Sequence, residues 1–216
     1  MYRNFRILLF YLLFFLGLLN RESIAFLTPW FIFITLVEYK FSWRSAWDII
    51  AGHLIVFAAY FLVRHAISLQ FDVAYSTAYY LEPLAKDPFY WYRMTLPLHW
   101  MGVFSVFKLL WIFPVLALIS FHRRGQKLQL WSMALLFACA YSQLFLAYDT
   151  SRMMTLSFMI MIIALKELFE HKTFQIRRWV GWVFVVNVFV PQYQVAADKM
   201  DSMSSFLVYA FAKLFI

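Results

Sequence analysis

Apolar stretches too long for a water-soluble core recur from one end of this chain to the other, with short clusters of charge between them. Of the 216 residues, 64% are apolar and 14% charged. Soluble domains hold about 45–50% apolar and about 25% charged residues. A chain of this make-up cannot hide its apolar surface from water by folding on itself. An ordinary soluble enzyme, a disordered chain and a secreted disulfide scaffold are therefore excluded. Cys139 is the only cysteine, so neither an internal disulfide nor a cysteine-based zinc site can form. Five glycines make a phosphate-cradling glycine loop unsuited to this sequence. The composition demands a polytopic, all-α membrane protein.

Seven candidate spans follow from hydropathy: Phe5–Leu19, Ile24–Val37, Trp47–Val63, Trp100–Phe121, Leu130–Ala147, Met153–Leu165 and Trp179–Val190. At 1.5 Å per residue the shortest of these runs cover only about 18–22 Å, against a hydrocarbon core of about 30 Å. Their polar flanks must continue the helices into the interface, or their ends must face a wet cavity. The stretch from Phe206 to Phe215 is too short to span and reads as interfacial. The absence of a visible repeat or linker makes 1–216 a single membrane domain in this reading.

Charge sorts the connections into two sets. One holds eleven basic and four acidic residues, among them Arg3, Arg6, Arg44, Arg123, Arg124, Lys127, Arg177 and Arg178. The other balances seven basic residues against seven acids. Positive loops stay on the cytoplasmic side, so the sequence puts the N-terminus inside. The net charge of +8 is thus spent on topology, and nucleic acid is not an expected partner. Arg3 and Arg6 ahead of an apolar run imitate a signal peptide, but no small-x-small cleavage site follows, and an uncleaved helix is expected. Trp43, Trp47, Trp131, Trp179 and Trp182 are expected at the inner interface, Trp91 and Trp100 at the outer.

One connection, residues 66–99, is unusually long and lies on the outer side; loops of this length commonly carry function. Its first half is amphipathic, with Ile67, Phe71, Ala74 and Ala78 on one stripe. Its second half, with Pro83, Pro88, Phe89, Tyr90, Trp91 and Tyr92, reads as an interfacial or re-entrant segment over the outer mouth of the bundle.

Three charged clusters then share the outer side. The first is Asn20-Arg21-Glu22-Ser23, and the second is the long loop with Asp72, Glu82, Asp87, Arg93 and His99. The third is Asp149-Thr150-Ser151-Arg152. Ionisable groups at the edge of hydrocarbon are functional candidates. Arg21 and Arg152 suit phosphate, because a guanidinium matches its oxygens in a two-pronged fork. Glu22 and Asp149 are the candidate catalytic carboxylates. The plain structural readings stand beside these: Ser23 or Asn20 caps the second helix, and Asp149 caps the sixth with Arg152 as an i, i+3 partner. Lys108 lies about 12 Å into the fourth span, deep for simple snorkelling. It is expected to face an outer polar cavity with Asp149 or Glu22 as its partner. With Arg93 and His99 it completes the candidate phosphate- and lipid-binding set. The histidines show no metal-ligand spacing and no metal site is assigned; a divalent cation held by outer carboxylates is compatible with the sequence, though nothing requires it.

The Asn20-Arg21-Glu22-Ser23 and Asp149-Thr150-Ser151-Arg152 motifs, with the span pattern, resemble the later half of bacterial polytopic glycosyltransferases of the GT-C type. The resemblance implies a hexosyltransferase-type activity in the bacterial inner (cytoplasmic) membrane. It would draw on a polyprenyl-phosphate-linked sugar and work on the non-cytoplasmic face. The chain departs from that family in its first outer loop, which is only Asn20 to Ser23; the long amphipathic loop comes after the third span instead. The resemblance therefore implies an incomplete module, working with a second membrane subunit, or a non-catalytic relative. The other reading of the residues is a non-enzymatic membrane subunit or lipid-handling scaffold, in which the outer charges are helix caps and local ion pairs. A transporter would show paired, broken repeats, and none is visible.

Overall fold

The computed structural model describes residues 2–38, 42–71, 83–145, 149, 153–170, 176–190, 192–196 and 199–203. These residues are overwhelmingly helical, as an apolar chain must be: with no water to take up backbone N–H and C=O groups, a helix satisfies them internally. The chain divides into two compact units, Met1–Ala85 and Lys86–Ile216.

In the first unit, α1 (Tyr2–Asn20) is followed by a 3-10 segment (Glu22–Leu27), α2 (Thr28–Glu38) and α3 (Trp43–Phe71). Both α1 and α2 pack on α3. The core is aromatic: Phe14, Leu18, Val56 and Tyr60 are buried, with Tyr11, Phe31 and Phe57 packed around them. Phe14 meets Phe31 and Phe57 edge-on, at 5.6 and 5.9 Å between centroids, the arrangement that aromatic quadrupoles prefer. His53 is buried among Phe10, Tyr11 and Phe14. Its Nδ1 lies 2.9 Å from the Ile49 carbonyl, which also accepts the Tyr11 hydroxyl at 3.1 Å.

Gly52 lets α1 and α3 approach this closely, since a Cβ there would stand 2.4 Å from Cζ and Oη of Tyr11. The ring is tethered by its hydrogen bond and cannot swing aside freely. Gly52→Ala is expected to cost about 1–3 kcal/mol, the usual penalty for overpacking. Equilibrium unfolding in mixed detergent micelles checks this; unchanged stability would show that the two helices separate without loss.

The second unit opens on α4 (Tyr90–Thr95). A 3-10 turn (Leu96–Leu98), α5 (His99–Phe107), a 3-10 segment (Lys108–Trp111) and α6 (Ile112–Arg123) continue it. Then come α7 (Lys127–Ser142) with a 3-10 turn (Gln143–Phe145), a 3-10 segment (Met154–Ser157) leading into α8 (Phe158–Glu170), and α9 (Ile176–Phe189). Antiparallel strands β1 (Gln192–Ala196) and β2 (Lys199–Met203) follow, pairing Gln192 with Met203 and Ala196 with Lys199. The strands were not expected; their alternation is too short to stand out beside the apolar runs. β1 packs against α5.

The centre of this unit is α6 against α8, with α7 alongside. Ala117, Leu136, Ala140, Met154, Ile160 and Ala164 are essentially inaccessible there. The turn from α6 to α7 is a Schellman closure. The amide of Gln126 donates to the Phe121 carbonyl (2.9 Å) and that of Gly125 to His122 (3.1 Å), with Gly125 at φ +67°. Glycine is favoured at this left-handed position because it has no Cβ to clash.

All seven apolar runs contain helix. Among the described residues, three helical stretches can cross a membrane by length and composition: Trp43–Gln70, Tyr90–Arg123 and Lys127–Phe145. The start of the long connection, Ala66 to Phe71, is helical, in line with its amphipathic pattern, and continues α3. From Tyr90 onward the connection is helix that runs through a 3-10 turn into α5. Asp87 starts that helix: its side chain accepts from the Phe89 amide (3.0 Å) and its carbonyl from the Tyr90 amide (3.0 Å). Trp91, expected at the interface, is only 5% exposed, whereas Trp100 is 67% exposed. The helical turn places the two on different faces. Residues 72–82 and the stretch from Phe206 to Phe215 lie outside the described residues.

Candidate functional site

The expected site residues fall into local arrangements, each within its own unit. In the first unit Glu22 opens the 3-10 segment and forms an ion pair with Arg64 of α3. The Arg64 guanidinium also lies 5.8 Å from the Tyr60 ring centroid, a cation–π distance. Arg21 supplies the N-cap position without a side-chain capping bond, and its amide donates to the Gly17 carbonyl at 2.7 Å. The Ser23 hydroxyl is buried and makes no hydrogen bond among the described residues. The Glu22 carboxylate reaches across to α3, and a Ser23 cap is not formed among the described residues.

In the second unit Arg93 pairs with Asp87 at 2.6 Å, six residues back across the start of α4. Asp149 accepts the Met153 amide on its carbonyl at 3.0 Å. Arg152, Asp72 and Glu82 lie outside the described residues.

Lys108 departs most from expectation. It is buried and sits where α5 breaks, with φ +51° and ψ −120°, a conformation that favours glycine. Its ammonium donates to the carbonyls of Val190 (2.7 Å) and Asn187 (3.3 Å) at the end of α9, not to a carboxylate. In return the Asn187 side-chain oxygen accepts the Leu109 amide at 2.8 Å. Each side chain thus satisfies backbone groups that the other helix leaves open. A cation at a helix C-terminus also complements the partial negative charge there. The strained backbone is held by this reciprocal clamp, and composition alone gave no sign of Asn187.

A cavity of 540 Å³ opens beside this break, lined by Leu96, His99, Trp100, Val103, Phe104, Trp111 and Tyr141. Its walls are apolar except at His99 and Tyr141. His99 is 5% exposed, and its Nδ1 lies 3.2 Å from the Thr95 hydroxyl. That hydroxyl also stands 3.2 Å from the carbonyls of Trp91 and Tyr92. The Thr95 proton goes to one of these carbonyls or to Nδ1, according to the His99 tautomer. The His99 Nε2 is buried and has no hydrogen-bond partner among the described residues. Tyr92 packs 5.1 Å from the His99 ring and stacks 4.8 Å from Phe145. Sequence reading found His99 but missed Thr95, Tyr92 and Tyr141; the Thr95–His99 spacing of four residues was the available signal.

On the opposite end of α6, Glu167 is 6% exposed, accepts the Ser120 hydroxyl at 2.7 Å and pairs with Arg124. Among the described residues no group of three or more His, Cys, Asp or Glu is placed to hold a metal ion. No family model, curated protein or solved structure matches this chain.

Proposed function

We propose that this chain is a lipid-dependent membrane glycosyltransferase, or the lipid-binding module of one. The cavity bounded by His99 and Tyr141 carries the reading: it has the volume of a small-molecule site, and its walls suit a lipid chain. Its residues come from the segments that the charge pattern assigns to the outer part of the fourth and fifth spans. In this reading the chain crosses a bacterial inner membrane seven times with its N-terminus in the cytoplasm. It takes a sugar from a polyprenyl-phosphate donor on the outer face and works with a second membrane subunit. Asp149, or Glu22 in the first unit, removes the acceptor proton as general base. Arg152 and Arg93, or Arg21 in the first unit, are the candidates to stabilise the departing lipid phosphate. Lys108 is left out of that set because its ammonium is committed to the carbonyls of α9.

A second reading, a non-enzymatic lipid-handling subunit, is favoured by one observation: Glu22 and Arg93, both candidate site residues, already hold local ion-pair partners. Native mass spectrometry of the protein gently purified from its own membrane separates the two. The transferase reading expects a bound polyprenyl phosphate or a second polytopic subunit, and sugar transfer that Asp149→Asn abolishes. A bare 25.9 kDa chain, or one carrying bulk phospholipid alone, would establish the scaffold instead.

A further inference from the structure

We infer that the turn at Lys108, held by the end of α9, builds one wall of the cavity beside α5, so that Lys108 and Asn187 are positioning residues for the hydrocarbon chain this cavity takes. That role rests on the lipid-dependent reading above and adds to it what keeps the cavity in shape.

The cavity draws its lining from both sides of the break. Val103 and Phe104 precede Lys108, Trp111 follows it, and Tyr141 comes from α7. Trp111 joins the two sides: its indole N–H donates to the Val103 carbonyl at 2.9 Å. In an unbroken helix residues 103 and 111 would stand about 12 Å apart along the axis, too far for an indole to reach. The bond therefore exists because the chain turns at Lys108. That turn has φ +51° and ψ −120°, which a residue with a Cβ adopts at a cost and glycine adopts readily. Among the described residues no other non-glycine residue has a positive φ. The end of α9 holds the turn in place. Its Val190 and Asn187 carbonyls take the Lys108 ammonium at 2.7 and 3.3 Å, and the Asn187 side chain takes the next amide, that of Leu109, at 2.8 Å. The 3-10 segment Lys108–Trp111, against which α9 packs, ends on the indole that closes the wall. A 3-10 stretch inside a run of helix often marks a hinge. The end of α9 and the cavity thus share one piece of backbone. Freeing the first lets residue 108 leave its glycine-like conformation and carries Trp111 out of the wall.

Two variants that both lack the ammonium read this out by their contrast. Lys108→Gly adopts the turn readily, whereas Lys108→Ala carries a Cβ that the turn disfavours and has no clamp to hold it there. The purified protein is photolabelled in detergent with a diazirine-bearing dodecane, with and without excess dodecane, and the adducts are mapped by peptide mass spectrometry. Saturable labelling of Phe104 and Tyr141 reports the cavity, while Phe158 and Ile162, exposed on α8, report the surrounding detergent. Lys108→Ala is expected to need about tenfold more probe than Lys108→Gly for half-saturation, the factor that 1.4 kcal/mol represents, with the glycine variant closer to the parent. A clamp that only adds stability would move both variants alike. Equal half-saturation in the two therefore overturns the role of the turn and leaves the lipid cavity standing. Trp111→Phe tests the same wall without touching residue 108, and serves if Lys108→Ala fails to fold. It keeps a ring but loses the N–H, and should weaken saturable labelling several-fold; unchanged labelling there overturns the assignment. Absence of saturable labelling in the parent overturns the lipid reading of the cavity, and this role with it.

Discussion

Arg124→Ala is expected to destabilise the second unit by about 3 kcal/mol or more, the usual result of stranding one member of a buried ion pair. Glu167 is 6% exposed and its carboxylate depends on Arg124 and on the Ser120 hydroxyl, which donates at 2.7 Å. Removing the guanidinium leaves a charge beside the tight contact of α6 with α8 and only a neutral donor to compensate it. The double variant Arg124→Leu/Glu167→Leu should recover most of the loss, because it removes the cost of dehydrating both ions along with their attraction. Equilibrium unfolding of the parent, both single variants and the double variant measures the coupling. Additive losses would mean that Glu167 is solvated and the pair contributes nothing.

The second large effect belongs to the break in the fourth apolar run. Lys108→Met keeps the length of the side chain but removes the ammonium from the carbonyls of Asn187 and Val190. The expected cost is about 1.5–3 kcal/mol, the range for hydrogen bonds to charged groups. Asn187→Leu removes the acceptor of the Leu109 amide, leaving a backbone donor open where water is scarce. Its cost is about 1–3 kcal/mol. Since both bridge the same pair of segments, the double variant should lose less than the sum. Hydrogen exchange at the Leu109 amide should accelerate in either variant. An unchanged exchange rate in Asn187→Leu would mean that the amide has another partner and the clamp is not what protects it.

The two effects have different origins in the chain. Arg124 sits in Arg123-Arg124-Gly125-Gln126-Lys127, a turn that the sequence announces by its glycine after a run of basic residues. Its partner Glu167 lies 43 positions away in what reads as an ordinary charged connection. The pairing needs α8 to lie along α6, and no local signal contains that. Likewise Lys108 was legible as a lysine too deep in a span, but its partners are main-chain carbonyls at the end of a different helix. A carbonyl has no side-chain identity, so no residue type could advertise it. Glu22 shows the same limit: its partner Arg64 lies 42 positions on, and the tertiary packing of α1 on α3 brings the two together.

The amino-acid sequence by itself determined that this protein is helical and carries helices able to cross a bilayer, because each apolar run has to meet its own backbone hydrogen bonds locally. It also marked Lys108 as a charge deep in an apolar run. Only the tertiary structure decided which charges pair, where the long connection becomes helix, and that His99 is buried against Thr95 beside a cavity. Those outcomes depend on groups brought together from distant positions or through the backbone. Their energies come from distance and dehydration, which spacing along the chain does not specify.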